Sequence, residues 1–460
     1  MSASKPLNVV FVFSDQQRWC DAGYNGNRQV RTPFLDRLAG KSVDVPYAVS
    51  GMPVCCPYRA TLMTGQYPHR HGVFLNDVCL DAGGPYLAER FRDAGYDTAY
   101  IGKWHIDGHG RESYIPPERR RGFDYWRALE CTHDYPHSPY FGDGPEKKWW
   151  EGYDAFAQTD CAVAYLRRRH DRPFLLMLSY GPPHNPYETA PQAYLDRYRP
   201  EDLRLRPNVP AACAEEARRD LAGYYAHISA LDDAAARLFN ALCAEGLEQD
   251  TLFVYTSDHG DMLYSHGRIR KQKPWDESIR VPLLLHCPRL FGRAPQRCEQ
   301  VFASVDLFPT LLGLCGLDIP DTAQGTDFAP HLRGEDPDFR APDAILSCIQ
   351  PFGEFMRGDS QPYYGTALYG GGREYRGLRT KRYTYVQDLH GPWLLYDNAA
   401  DPYQLRNLAG EPAYADLLAT FETRLEKRLR ETGDAFLPGA AYVAQWGYAL
   451  DKTGTAPIHL

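Results

Sequence analysis

The chain has no CxxC spacing, and Cys55-Cys56 is the only close pair among its 12 cysteines in 460 residues. That absence removes the short-range zinc and disulfide frameworks, so most thiols are read as reduced core groups. A long basic run is missing as well, and the net charge is -8 with a pI near 6.0. Nucleic acid is therefore excluded as the main partner, and an anionic ligand would need a local basic pocket. No apolar stretch approaches the roughly 20 residues of a membrane helix, so no membrane partner is expected. The first apolar run covers only 7–13 and ends in Ser14, Asp15 and Gln16, too short for a signal-peptide core. As written, the chain is expected to be cytoplasmic unless processing has already removed a leader. Internal repeats and long low-complexity tracts are also absent.

What is present is a set of short β-branched and aromatic runs, each followed by a polar cluster. Residues 7–13 (LNVVFVF) precede Ser14-Asp15-Gln16-Gln17, and 98–101 precede Gly102-Lys103-Trp104-His105. Residues 174–178 precede Pro182-Pro183-His184-Asn185, and 252–255 precede Thr256-Ser257-Asp258-His259-Gly260. Continuous apolar runs suit strands buried on both faces. Helical periodicity falls between them, over 86–94, 161–169 and 214–245. Alternating strands and helices predict an α/β fold with a large doubly wound, mostly parallel sheet, in which ligands bind outside the carboxyl ends of the strands. The four polar clusters should then converge. From about 340 the texture changes to a glycine- and aromatic-rich stretch (351–375), short alternating strands near 375–386 and 393–396, and a helix over 413–431. The expected division is a catalytic α/β domain over 1–339 and a smaller C-terminal α+β subdomain with an antiparallel sheet over 340–460.

The most informative segment is Val54-Cys55-Cys56-Pro57-Tyr58-Arg59-Ala60-Thr61-Leu62-Met63-Thr64-Gly65. Cysteine followed by proline at the second position and arginine at the fourth resembles the maturation signature of type I sulfatases and the related phosphonate monoester hydrolases, members of the alkaline phosphatase superfamily. Cys56 does not fit, because its proline falls one place too early. The resemblance extends in order through Asp15, Gly102-Lys103-Trp104-His105, Pro182-Pro183-His184-Asn185-Pro186, Asp258-His259, Glu277-Ser278-Ile279-Arg280-Val281-Pro282 and a C-terminal segment, 395–408. Individually each piece has an ordinary explanation: a buried thiol, a cap, a solvated lysine. Together and in order they do not.

The resemblance implies that Cys55 is oxidised to Cα-formylglycine by a formylglycine-generating enzyme, and that its hydrated aldehyde is the nucleophile. It implies one divalent cation held by Asp15, Gln16, Asp258, His259 and residue 55. A hard oxygen-rich set favours Ca²⁺, but Gln16 and His259 stand where many members carry Asp and Asn, and that change could admit Mn²⁺ or Zn²⁺. Arg59 is expected one helical turn from Cys55, leaning back toward it, with the implied role of holding the hydrate and its metal contact. Lys103 and His105 are expected on one face of an extended segment, Lys103 on sulfate oxygens and His105 as the base that later deprotonates the diol. His184 is the expected general acid and Lys271 a sulfate contact, with Lys273 as its competitor; Asn76 is a further substrate candidate.

The function implied is S–O cleavage of a small-molecule or saccharide sulfate ester by the formylglycine hydrate, releasing an alcohol and inorganic sulfate. A phosphonate monoester or phosphodiester hydrolase of the same superfamily is the alternative, and a binding protein with unmatured Cys55 is the rival from another class. Two aromatic loops, 135–153 with Trp149-Trp150 and 352–375, read equally as a sugar or aryl platform and as homo-oligomer contacts.

Overall fold

The computed structural model describes residues 5–351, 373–450 and 456–457. Most of the aromatic stretch expected over 352–375, including Gly370-Gly371-Gly372, lies outside the described residues.

Strand Asn8–Asp15 is buried along its whole length, as its unbroken apolar run requires. It lies between Phe174–Pro183 and Thr251–Ser257 and runs parallel to both. Asp97–Lys103 pairs with the far side of Phe174–Pro183, and Tyr125–Leu129 follows it, again parallel. Further strands extend this centre on both sides into a ten-stranded sheet: Leu283–His286, Val43–Asp44 and Gln296–Arg297 beyond Thr251–Ser257, and the antiparallel hairpin Pro139–Phe141 with Lys147–Trp149 beyond Tyr125–Leu129.

Because side chains alternate along a strand, each strand feeds two cores. Val9, Phe11 and Phe13, with Leu175, Met177, Leu252 and Val254, pack against helices Cys55–Thr64, Leu87–Asp93 and Leu307–Leu314. Val10 and Val12, with Leu176, Leu178, Phe253 and Tyr255, pack on the other face against Pro33–Ala39, Asp154–Leu166 and Ala214–Ala244. Fully burying one such side chain contributes about 1.5–3 kcal/mol, so two continuous layers fix the register of the sheet. The fold is the expected doubly wound α/β class.

One helix departs from its expected span. Periodicity placed it over 161–169, whereas it runs Asp154–Leu166. Its first two turns bury Asp154, Ala155, Gln158 and Thr159, small and polar residues that an apolar pattern does not register. It stops before Arg167-Arg168-Arg169, which have no apolar face to bury.

At the C-terminal end, Ala344–Cys348, Tyr375–Arg379, Tyr383–Asp388 and Gly391–Asp397 form a four-stranded antiparallel sheet in sequence order. Helix Ala415–Thr432 covers it with Phe421, Leu425 and Leu429, four residues apart on one stripe. The same core takes in Val49, Met262, Trp275 and Ile279 from the rest of the chain. Buried Arg379 clamps Asp276 with two 2.9 Å bonds, tying this sheet to the residues beside the site. No described helix is long and apolar enough to cross a membrane.

Candidate active site

Parallel pairing brings four strand ends to one edge. Ser14 is level with Ser257, Asp15 with Pro183, and Gly102 with Ser179. The residues that follow each strand therefore meet above the sheet.

Cys55 opens helix Cys55–Thr64 after an extended Val54. Pro57 is tolerated in this first turn because its missing N–H would have no intrahelical acceptor. Gly65 ends the helix at φ 66°, and a side chain there would meet the Phe308 ring at 2.7 Å, so the signature's terminal glycine is required by both backbone and packing. The Cys55 thiol is buried and lies 2.9 Å from Lys271 Nζ, 3.3 Å from His259 Nε2, 3.6 Å from Asp15 Oδ1 and 3.9 Å from Lys103 Nζ. Asp15, Cys55, Asp258 and His259 offer ligand atoms that all lie within 4.8 Å of one another.

Arg59 does not lean back on the thiol. Its guanidinium donates to Asp15 Oδ2 and Asp258 Oδ2, both at 3.3 Å, and at 2.7 Å to Ser179 Oγ and the Lys103 carbonyl. It lies across the two carboxylates. Gln16, at φ 78°, donates its backbone N–H to Asp258 Oδ1 (3.0 Å) and its side-chain amide to Asp261 Oδ2 (2.6 Å), while its Oε1 accepts from Lys271 Nζ at 3.3 Å. Lys103 Nζ reaches Asp15 Oδ2 at 2.7 Å. Of the two competing lysines, Lys271 meets Cys55, whereas the Lys273 ammonium turns to the Lys271 carbonyl at 3.5 Å.

His105 departs from the extended geometry expected of it. Its φ is 60°, so the alternation that would align it with Lys103 is broken, and its Nε2 faces Asp77 Oδ1 at 3.4 Å. Asn76 commits its Oδ1 to the Cys56 N–H at 3.2 Å, as a cap on the nucleophile helix. His184 hydrogen-bonds the Asn185 carbonyl through Nδ1 (2.9 Å) and stacks on His133 with ring centres 4.5 Å apart. Trp150 is buried against Tyr140, whereas Trp149 is 62% exposed.

The family model for sulfatases matches residues 7–317 of this chain. The chain belongs to the sulfatase family. An ulvan-active sulfatase from Formosa agariphila is 41% identical to it over 460 aligned residues, 98% of this chain and 86% of its relative. A solved structure from a glycosaminoglycan-metabolism locus of Bacteroides thetaiotaomicron superposes with a TM-score of 0.84 at 26% identity, covering 94% of this sulfatase and 98% of its neighbour. The phosphonate monoester hydrolase of Agrobacterium radiobacter superposes at 0.74 with 25% identity, over 92% and 96% of the two chains. The sulfatase is a sulfuric ester hydrolase, and its family implies a metal and a formylglycine.

The donor set fits a cation. Asp15 and Asp258 are both wholly buried, and burial together with the Asp15 charge pushes the Asp258 carboxyl up to about 6. Burial also opposes the charge on Asp15, but Lys103 and Lys271 hold it well below the usual carboxylate range. Two buried carboxylates with an imidazole and an amide oxygen alongside are a donor set suited to a divalent ion, beside which Arg59, Lys103 and Lys271 already offset part of the charge. Burial, then Lys271 and His133, depress the His184 imidazole. Burial lowers His105, yet Cys131, Cys56 and Asp77 together hold it well above its ordinary value.

Several groups here carry no local sequence signal: Ser179 on Arg59, Arg111 on Asp77, and His133 on His184. Asp261 could have been read from Asp258-His259-Gly260-Asp261, where the acid pattern repeats after three residues.

Proposed function

We propose that this sulfatase hydrolyses a saccharide sulfate ester with a formylglycine formed from Cys55 and one bound divalent cation, Ca²⁺ by preference. The supporting observation is the position of Cys55 at a buried helix start, with two ammonium groups, an imidazole and a carboxylate within 4 Å of its sulfur. Its Sγ stands in for one hydroxyl of the hydrated aldehyde. When present, the hydrate supplies the oxygen nucleophile, and a cation held by Asp15, Gln16, Asp258 and His259 supplies positive charge beside the sulfuryl oxygens. Oxygen ligands from two carboxylates and an amide favour a hard ion, while His259 leaves room for Mn²⁺ or Zn²⁺.

The chain's own groups supply the rest. Lys103 and Lys271 direct their ammonium groups at the reacting position and bind sulfuryl oxygens as charge builds there. His184, buried against His133, delivers a proton to the departing oxygen. Its depressed basicity in the free site is offset by the anionic ester, which favours the imidazolium. His105 removes the proton whose loss frees sulfate once it has itself given one up, because, against burial, Cys131, Cys56 and Asp77 favour its imidazolium in the free site. Arg59 neutralises Asp15 and Asp258 from beneath rather than touching substrate.

A saccharide is favoured because the 41% identical relative is named for its activity on ulvan. The test is a panel of sulfated sugars, aryl sulfates and phosphonate monoesters assayed with a defined metal. Sulfated saccharides should give the highest kcat/KM; a phosphonate ester that exceeds the sulfate with the same leaving group would transfer the assignment to the phosphonate hydrolases.

A further inference from the structure

We propose that Asp77 is a positioning residue for His105, itself clamped by Arg111, and that the three form a relay from the rim of the site to its base. This rests on the reading of His105 as the base of the reaction.

Arg111 grips both oxygens of the Asp77 carboxylate, Nε to Oδ1 at 2.8 Å and Nη2 to Oδ2 at 2.7 Å. A bidentate guanidinium fixes a carboxylate in orientation as well as position. Asp77 Oδ1 then faces His105 Nε2 at 3.4 Å. Both Asp77 (φ 61°) and His105 (φ 60°) sit in left-handed backbone, which residues other than glycine keep only where the surroundings over-determine it. The 76–77 turn is also tied to the nucleophile helix. Asp77 donates its N–H to Cys56 Sγ at 3.4 Å, and Asn76 accepts the Cys56 N–H. Distance between His105 and residue 55 is thereby set through two shared anchors.

The consequence is a fixed tautomer. Burial opposes ionisation of Asp77, but Arg111 and His105 outweigh it and hold the carboxyl well below the ordinary range, so Asp77 can only accept. Nε2 must carry the proton that faces it, which leaves Nδ1 as the atom that gains or loses one. Nδ1 is buried and makes no hydrogen bond among the described residues. Cys56, Cys131, Lys103 and Glu130 are the other titratable groups around the ring.

The first test needs no substitution at Asp77. In ¹⁵N-histidine-labelled protein carrying the unmodified Cys55 thiol, with His105 assigned by its loss in His105→Gln, raising the pH until the ring is neutral should leave the proton on Nε2 and Nδ1 bare. A bare Nε2 with the proton on Nδ1, or a rapidly averaging mixture, overturns the proposal. In matured enzyme, Asp77→Asn and Arg111→Lys should lower kcat by roughly 10–100-fold with KM changed by less than about threefold. A loss confined to KM would assign Asp77 to substrate binding instead and overturn it. If His105→Ala leaves kcat intact while the tautomer is as stated, the reading of His105 as base falls and the positioning stands.

Discussion

Arg59→Met is the most revealing substitution, because it separates charge neutralisation from any contact with the nucleophile. The guanidinium is buried and shared by Asp15 and Asp258, with two further 2.7 Å bonds to neutral oxygens. Methionine keeps much of the volume but removes the guanidinium that both carboxylates share, leaving Lys103 on Asp15 and His259 beside Asp258. Removing one member of a buried ion group costs about 3–5 kcal/mol, since the remaining charge stays desolvated. The unfolding midpoint of metal-free protein should therefore fall by roughly 3–5 °C. A divalent cation should then restore more stability in the variant than in the parent, because the same two carboxylates become its principal partners. At a hundredfold excess over Kd, binding adds about 2.7 kcal/mol. The assay is thermal unfolding with and without Ca²⁺, Mn²⁺ or Zn²⁺. A midpoint unchanged within about 1 °C, or an equal response of both proteins to metal, would refute the argument that Arg59 serves the carboxylates.

Other consequences are equally direct. Lys271→Ala should lower kcat/KM by roughly 10²–10³-fold, whereas Lys273→Met should retain most activity; the reverse ranking in steady-state kinetics would contradict the geometry. Asp276 has a carboxyl brought down to about 2, with burial opposing and Arg379 and Arg280 prevailing. The unfolded chain takes up that proton first as pH falls, so up to about 2.5 kcal/mol present above pH ~4 is lost on approach to pH ~2. Asp276→Asn should remove that part of the acid dependence in denaturation measured across pH, and an unchanged profile would dismiss it. His184→Ala should slow esters of basic leaving groups far more than activated aryl sulfates; equal losses along the series would leave His184 as a binding group only.

The parallel strands were legible because each is a continuous apolar run, and the burial of Asn8–Asp15 and Thr251–Ser257 follows from that alone. Convergence of the polar clusters was legible too, since parallel strands end at one edge. What escaped was anything decided by a turn or a distant partner. His105 was expected in line with Lys103, but the chain turns at φ 60° directly after the strand, and nothing in Gly102-Lys103-Trp104-His105 announces a left-handed residue. Arg59 was expected to lean toward the nucleophile and its metal contact; its long side chain follows the charge to Asp15 and Asp258, the carboxylates of that contact, rather than to the thiol. Arg111 and His133 reach the site from irregular segments whose placement depends on tertiary packing, so no spacing reveals them.

The central claim is that residue 55 acts as an aldehyde hydrate, and one measurement reaches it directly. Protein produced with a formylglycine-generating enzyme should yield a peptide spanning residue 55 that has lost its thiol and reacts with a hydrazide probe, and specific activity should rise in proportion to that fraction. Cys56→Ala should leave the aldehyde fraction unchanged, because only Cys55 has proline and arginine at the signature spacing. Full sulfate ester hydrolysis by protein whose Cys55 is wholly an unmodified thiol would contradict the account.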